Sequence, residues 1–168
     1  ESDATVEVPY GGKPLGSRQA CFWRVRAWDQ DGRASGWSET GRWEMGLLQA
    51  SDWKGQWIGR TESTNYAPAP LLRKQFEVGR RVARARVYAS GLGYCDLTVN
   101  GRRVSEALLD PGYTRYDRRV LYVTHDVTAL LRPGRNAMGV VLGTGWFNCH
   151  TRAVWNFHLA PWRMSPRL

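Results

Sequence analysis

The sequence predicts an all-β fold. Apolar and polar residues alternate over short runs, turn-forming residues punctuate those runs about every ten positions, and no long stretch keeps a helical period. The first strand is expected at residues 21–28, with Trp23, Val25 and Ala27 on one face and Arg24 and Arg26 on the other. Asp29-Gln30-Asp31-Gly32 supplies the turn after it, since Asp and Gly tolerate the left-handed conformation. A second strand follows at residues 41–45 and places Trp43 and Met45 on one face.

A new unit opens at Asp52-Trp53-Lys54-Gly55-Gln56-Trp57-Ile58. Residues 61–70 are polar and hold Pro68 and Pro70, so they form a loop or a strand approach. Strands are expected at residues 71–78, 82–90 and 94–100. Asn100-Gly101 closes the third as a hairpin, because both residues accept the positive φ a tight turn needs, and Val104 resumes beyond it. The connection over residues 108–117 holds Asp110-Pro111-Gly112, which demands a turn. Strands at 119–124 and 136–142 flank a helical turn at 126–131, which Asp126 is placed to cap. Gly143-Thr144-Gly145-Trp146-Phe147-Asn148 is a Gly-rich aromatic loop, and the tail through Trp155 and Trp162 has no period. The division is into residues 1–48 and 49–168, meeting near 47–53. The alternation predicts that Trp23, Val25, Val87, Leu97, Val99, Val123, Val140 and Leu142 are buried.

Composition narrows the function. A net charge of +9 raises nucleic acid as a partner, yet Arg24, Arg26, Arg84, Arg86, Arg118 and Arg119 are scattered along strands. With no zinc-finger spacing, basic helix or RNA-binding aromatic motif, no nucleic-acid partner is expected. The three cysteines, Cys21, Cys95 and Cys149, are far apart and form no CxxC pair. That pattern excludes a disulfide framework and a structural zinc, and fits a reducing, cytoplasmic setting. No apolar run is long enough for a membrane helix, and residues 1–20 do not read as a signal peptide. His125, His150 and His158 lack the spacing of a ligand pair. Gly91-Leu92-Gly93 and Gly143-Thr144-Gly145 lack the helix a phosphate loop requires.

Several segments carry a resemblance. Residues 22–32 with Ser35-Gly36-Trp37-Ser38-Glu39 resemble the last strands of a fibronectin type III domain, in the version found at the front of bacterial α-L-rhamnosidases of glycoside hydrolase family 78. Trp43-Glu44-Met45-Gly46-Leu47 and residues 52–59 match the junction that follows there. Residues 88–94, Val99-Asn100-Gly101-Arg102-Arg103-Val104, residues 109–114, Asp126-Val127-Thr128 and residues 142–148 look like the N-terminal carbohydrate-binding jelly roll of those enzymes. The resemblance implies a partial fibronectin type III sandwich followed by an incomplete galactose-binding-like jelly-roll β-sandwich. It implies an inverting α-L-rhamnosidase whose catalytic helical toroid, with its Asp-Gly-Pro motif, does not occur in these residues. The chain alone is therefore expected to be inactive, and its role to be sugar binding or positioning. A stand-alone lectin-like module and a ligand-free spacer are the alternatives.

A sugar site needs a flat aromatic face for the C–H side of the ring, and amides or carboxylates for the hydroxyls. The best cluster joins Trp146, Phe147 and Asn148 to Asp110 and Tyr113, although relatives often carry Trp at the position of Tyr113. The resemblance implies L-rhamnose glycosides as ligand, no required cofactor, and calcium as the metal that Asn100, Asp110 and Asn148 would suit. Each has a simpler use: Asn100 in the hairpin, Asp110 in its own turn, Trp146 packed beneath the loop. Incomplete sandwiches leave unpaired strand edges. Exposed edge strands, or an extensive intermolecular contact such as a homo-oligomer, are therefore expected, centred on residues 23–45 and 155–168.

Overall fold

The computed structural model describes residues 7, 9–61, 65–152 and 155–168, so part of the loop expected at 61–70 lies outside the described residues. The chain is all-β and every strand pair is antiparallel. It divides into two compact units, Glu1–Gly55 and Gln56–Leu168.

In the first unit β1 (Ala20–Trp23) pairs with β2 (Gly41–Glu44), with Cys21 opposite Trp43. The first strand is shorter than its alternation predicts, for a local reason. Beyond Trp23 the N–H groups of Val25 and Ala27 donate to the hydroxyls of Ser38 and Ser35, each at 3.0 Å. A side-chain oxygen stands where a ladder carbonyl belongs, and the regular strand ends. The Asp29 carboxylate then accepts the N–H groups of Asp31 and Arg33, and Gly32 turns at φ 76°. Trp23 and Val25 were expected inside but are 49% and 56% exposed. Among the described residues of this unit, β1-β2 is the one sheet. Arg24, Trp37, Arg26 and Trp28 form a ladder of guanidinium over indole, at 5.2, 4.8 and 4.8 Å.

In the second unit the strands are β3 (Leu71–Val78), β4 (Arg86–Ala89), β5 (Tyr94–Val99), β6 (Arg102–Arg103), β7 (Val123–Asp126) and β8 (Gly134–Gly143). A four-stranded sheet runs β3-β8-β5-β6, and β4-β7 forms a second. Leu97, Val140 and Leu142 make the core, packed against Leu72, Val87, Cys95, Val104, Met138 and Leu168. Alternation in β5 and β8 sends these residues inward, and Val99 is fully buried. Val87 and Val123 are half-buried.

Two strands are displaced from expectation, again because side chains take ladder positions. The Ala85 N–H donates to the Thr128 hydroxyl, so β4 begins at Arg86. The Arg119 and Leu121 carbonyls accept from the hydroxyls of Thr114 and Ser90, so β7 begins at Val123. The expected helical turn is a 3₁₀ turn at Thr128–Leu130, and the Asp126 carboxylate accepts the Thr128 N–H at 3.0 Å. The tail holds one 3₁₀ turn, Phe157–Leu159, and then docks. Leu168 exchanges main-chain hydrogen bonds with Ile58, and Arg167 with Leu92.

Asn100 and Gly101 have φ 52° and 78°, the hairpin expected of them. The Asn100 amide nitrogen donates to Leu130 O and Asn136 Oδ1, both at 2.8 Å, and its oxygen accepts the Ala137 N–H at 3.0 Å. Asn136 donates to the carbonyls of Arg132 and Gly134 and accepts the Arg132 N–H. Asn136→Ala leaves several buried groups without partners, and should lower unfolding free energy by about 2 kcal/mol or more in urea titrations.

His125 in β7 lies opposite Val87, and burial holds its imidazole below the ordinary 6.5 against the pull of Asp110. As pH falls, the unfolded chain therefore takes up this proton first. The stability this group contributes is complete above about pH 6.5 and declines as pH drops toward the lowered folded value. Thermal melts between pH 7.5 and 5 should show that decline, and His125→Gln should flatten it.

Candidate functional site

The β5-β8 register sets Tyr94 opposite Gly143, so the loop after β8 leaves the sheet beside the start of β5. Glycine is required here. A Cβ on Gly93, at φ 102°, would lie 2.2 Å from the Gly143 carbonyl oxygen, and one on Gly145 would lie 3.1 Å from the Tyr94 ring. The connection through residues 110–116 docks at the same end, because the Cys95 N–H donates to the Asp110 carbonyl at 2.7 Å. The Asp110-Pro111 peptide is cis, and Pro111 is fully buried.

Aromatic rings converge at this end. Tyr113 meets Tyr116 at 5.8 Å and Phe157 at 5.2 Å. Tyr116 meets Phe147 at 5.3 Å and Trp162 at 6.1 Å. Trp146 meets Phe157 at 5.0 Å and Trp155 at 6.3 Å. Tyr116 and Phe147 are buried, whereas Tyr113 and Trp155 are 44% and 71% exposed, so open ring faces rest on a closed base.

Polar groups without partners lie in the same segments. Tyr116 OH, Trp162 Nε1, Asn148 Oδ1 and His150 Nε2 are buried and make no hydrogen bond among the described residues. A buried polar atom left unpaired costs about 1–3 kcal/mol, so such atoms mark a place where a polar ligand gains. Burial first, then the Tyr94 and Tyr113 side chains, pushes the Tyr116 phenol up to about 12, so it stays a neutral donor at physiological pH. Asn148 is 2% exposed and is held by its own N–H on the Thr144 carbonyl at 3.1 Å.

Of the residues expected at the site, Asp110, Tyr113, Trp146 and Asn148 come to this one end. Asp110 stands near Cys95, whose thiol is pushed up to about 11 by burial and then by Asp110 and Asp96. Asn100 does not join them. It follows β5 at its far end, about 17 Å along the strand from Cys95. Both its amide hydrogens and one lone pair of its oxygen are also engaged in the hairpin network. The three residues expected to share calcium are therefore not brought together, and Asn100 is corrected to a structural amide. Among the described residues, no three His, Cys, Asp or Glu side chains gather as a metal would need. Tyr116, Trp155, Phe157 and Trp162 were not anticipated. The only signal for Trp155, Phe157 and Trp162 was the aromatic density of an aperiodic tail.

Residues 80–167 match the family described as the alpha-L-rhamnosidase N-terminal domain, which takes in more than half of the chain. The chain belongs to the family of alpha-L-rhamnosidase N-terminal domains. Residues 1–49 of this rhamnosidase-family chain match a second family, described as the Rha78A-like, N-terminal immunoglobulin domain. An alpha-L-rhamnosidase of Formosa agariphila is 43% identical over 154 residues, covering 86% of this chain and 17% of the relative. The structure of alpha-L-rhamnosidase from Dictyoglumus thermophilum aligns at TM-score 0.76 and 39% identity, over 83% of this chain and 18% of that one. The native alfa-L-rhamnosidase of Aspergillus terreus aligns at 0.78 and 36%, over 87% and 18%. The chain thus spans about a sixth of the length of the rhamnosidases it matches. No helix among the described residues is long and apolar enough to cross a membrane.

The neighbourhood of Asp110 and Cys95 is open to test. Asp110→Asn removes one of the charges that hold the Cys95 thiolate down. It should raise the rate of Cys95 alkylation at pH 8 several-fold, read by peptide mass spectrometry.

Proposed function

We propose that this region is the accessory, sugar-binding part of an α-L-rhamnosidase, and that it takes terminal L-rhamnose of a glycoside at the end of the sandwich where the aromatic rings meet. One observation carries the reading: exposed ring faces stand over buried, unpaired donors and acceptors. A pyranose needs that pairing, with its C–H face on an indole or phenol ring and its hydroxyls on polar atoms. Trp146 and Tyr113 offer the face, and Asn148 and Asp110 the oxygens. Calcium, if used, would sit on Asp110 and Asn148, which are hard oxygen donors.

Hydrolysis belongs to the rest of the enzyme in this reading. An inverting glycosidase needs two carboxyls about 6.5–9.5 Å apart, with a water between them. Asp110 is the carboxylate that the aromatic end brings.

Calorimetric titration of L-rhamnose into the purified chain, with and without calcium, tests the binding. Trp146→Ala and Asn148→Ala should each weaken it by about tenfold or more. A flat titration would turn the assignment toward a spacer. The chain alone should not release nitrophenol from a nitrophenyl L-rhamnoside, and turnover above a protein-free control would refute its accessory role.

A further inference from the structure

β3 is the edge of the four-stranded sheet, and β8 is its only ladder partner among the described residues. The direction of its free hydrogen-bonding groups follows from the register. Leu72 lies opposite Val140, and the Leu142 N–H donates to the Pro70 carbonyl, so even-numbered residues of β3 point their main-chain groups at β8. The N–H and C=O groups of Leu71, Arg73, Gln75 and Glu77 therefore point outward, since ladder partners alternate along an antiparallel strand. All four of these residues are exposed. Neither a proline nor a bulge blunts this eight-residue edge.

We propose that this edge is a homodimer interface, in which β3 adds antiparallel to β3 of a second copy about a two-fold axis through Gln75. The sequence of the strand selects both the partner and the register. With Gln75 opposite itself, Arg73 falls opposite Glu77 of the other copy, and the symmetry repeats the pair. Leu72 falls opposite Val78 on the inner face and extends the apolar layer. Only outward-pointing residues then meet outward-pointing residues, so the pairs at 73, 75 and 77 each exchange two main-chain hydrogen bonds. Slipping the register by two residues keeps the hydrogen bonds but sets Gln75 opposite Glu77 or Arg73, and loses both charge pairs. Opposite charges across strands stabilise, and like charges there destabilise. The Arg135 guanidinium that approaches Glu77 within the chain does so at 3.8 Å with both side chains exposed, so Glu77 is free to turn to Arg73 of a second copy.

Sedimentation velocity of the 168-residue chain over a micromolar concentration series tests this. Reversible dimerisation is expected. Arg73→Glu and Glu77→Arg each set like charges opposite one another in both halves, and should weaken the dimer by about tenfold or more. An equimolar mixture of the two variants should regain it, because every mixed pair is Glu against Arg. Gln75→Pro should abolish the dimer and leave thermal melting intact, since the N–H it removes faces outward. The proposal is overturned by a monomer at every concentration, by a dimer indifferent to either charge reversal or to Gln75→Pro, or by a mixture that stays monomeric.

Discussion

Asn100 and Asn136 bond each other and the main chain of Leu130, Arg132, Gly134 and Ala137, Asn136 through both amide hydrogens and both oxygen lone pairs and Asn100 through both hydrogens and one lone pair. An amide pair of this kind tolerates no slip of β5 against β8. A shift of β5 by one residue would turn Leu97 and Val99 to the solvent face and strand the buried amides. The register they hold at one end of the sheet sets Tyr94 opposite Gly143 at the other. The position of the aromatic loop thus depends on contacts a full strand away from it.

At that other end, closeness of main chain replaces amide pairing. Gly93, Gly143 and Gly145 let the loop lie against Tyr94. The connection bearing Asp110 and Tyr113 is tied to Cys95, and the tail contributes Trp155, Phe157 and Trp162. Three segments remote in sequence therefore supply one ring cluster. Its base, Tyr116 and Phe147, is buried, and its rim keeps open faces.

How much of this was legible in the sequence depends on the range of the interaction. Leu71–Val78 and the Asn100-Gly101 turn follow from alternation and from φ preference, and both are local. The early end of β1 and the late start of β7 turn on serine and threonine hydroxyls replacing ladder partners, a choice that alternation does not encode. Trp23 and Val25 show the same limit from the other side. Their alternation tells which face they share, but burial requires an opposing layer. Asp110, Tyr113, Trp146 and Asn148 were visible as residue types suited to a sugar. Phe157 and Trp162 were not, since a tail without period gives no hint of what it touches. Asn100 offered the oxygen a cation would want, and only the fold shows that it stands at the far end of β5 from Asp110 and Asn148.

The ladder of Arg24, Trp37, Arg26 and Trp28 bears on how the first unit behaves in water. Indole faces left bare on a two-stranded hairpin invite aggregation. A guanidinium laid across them brings its hydration shell along and keeps like-charged hairpins apart. The surface is then wettable without being polar, and its colloidal behaviour rests on arginine rather than on burial. Replacing those arginines by lysine would keep the net charge yet unroof the indoles, because an ammonium cannot lie flat on a ring.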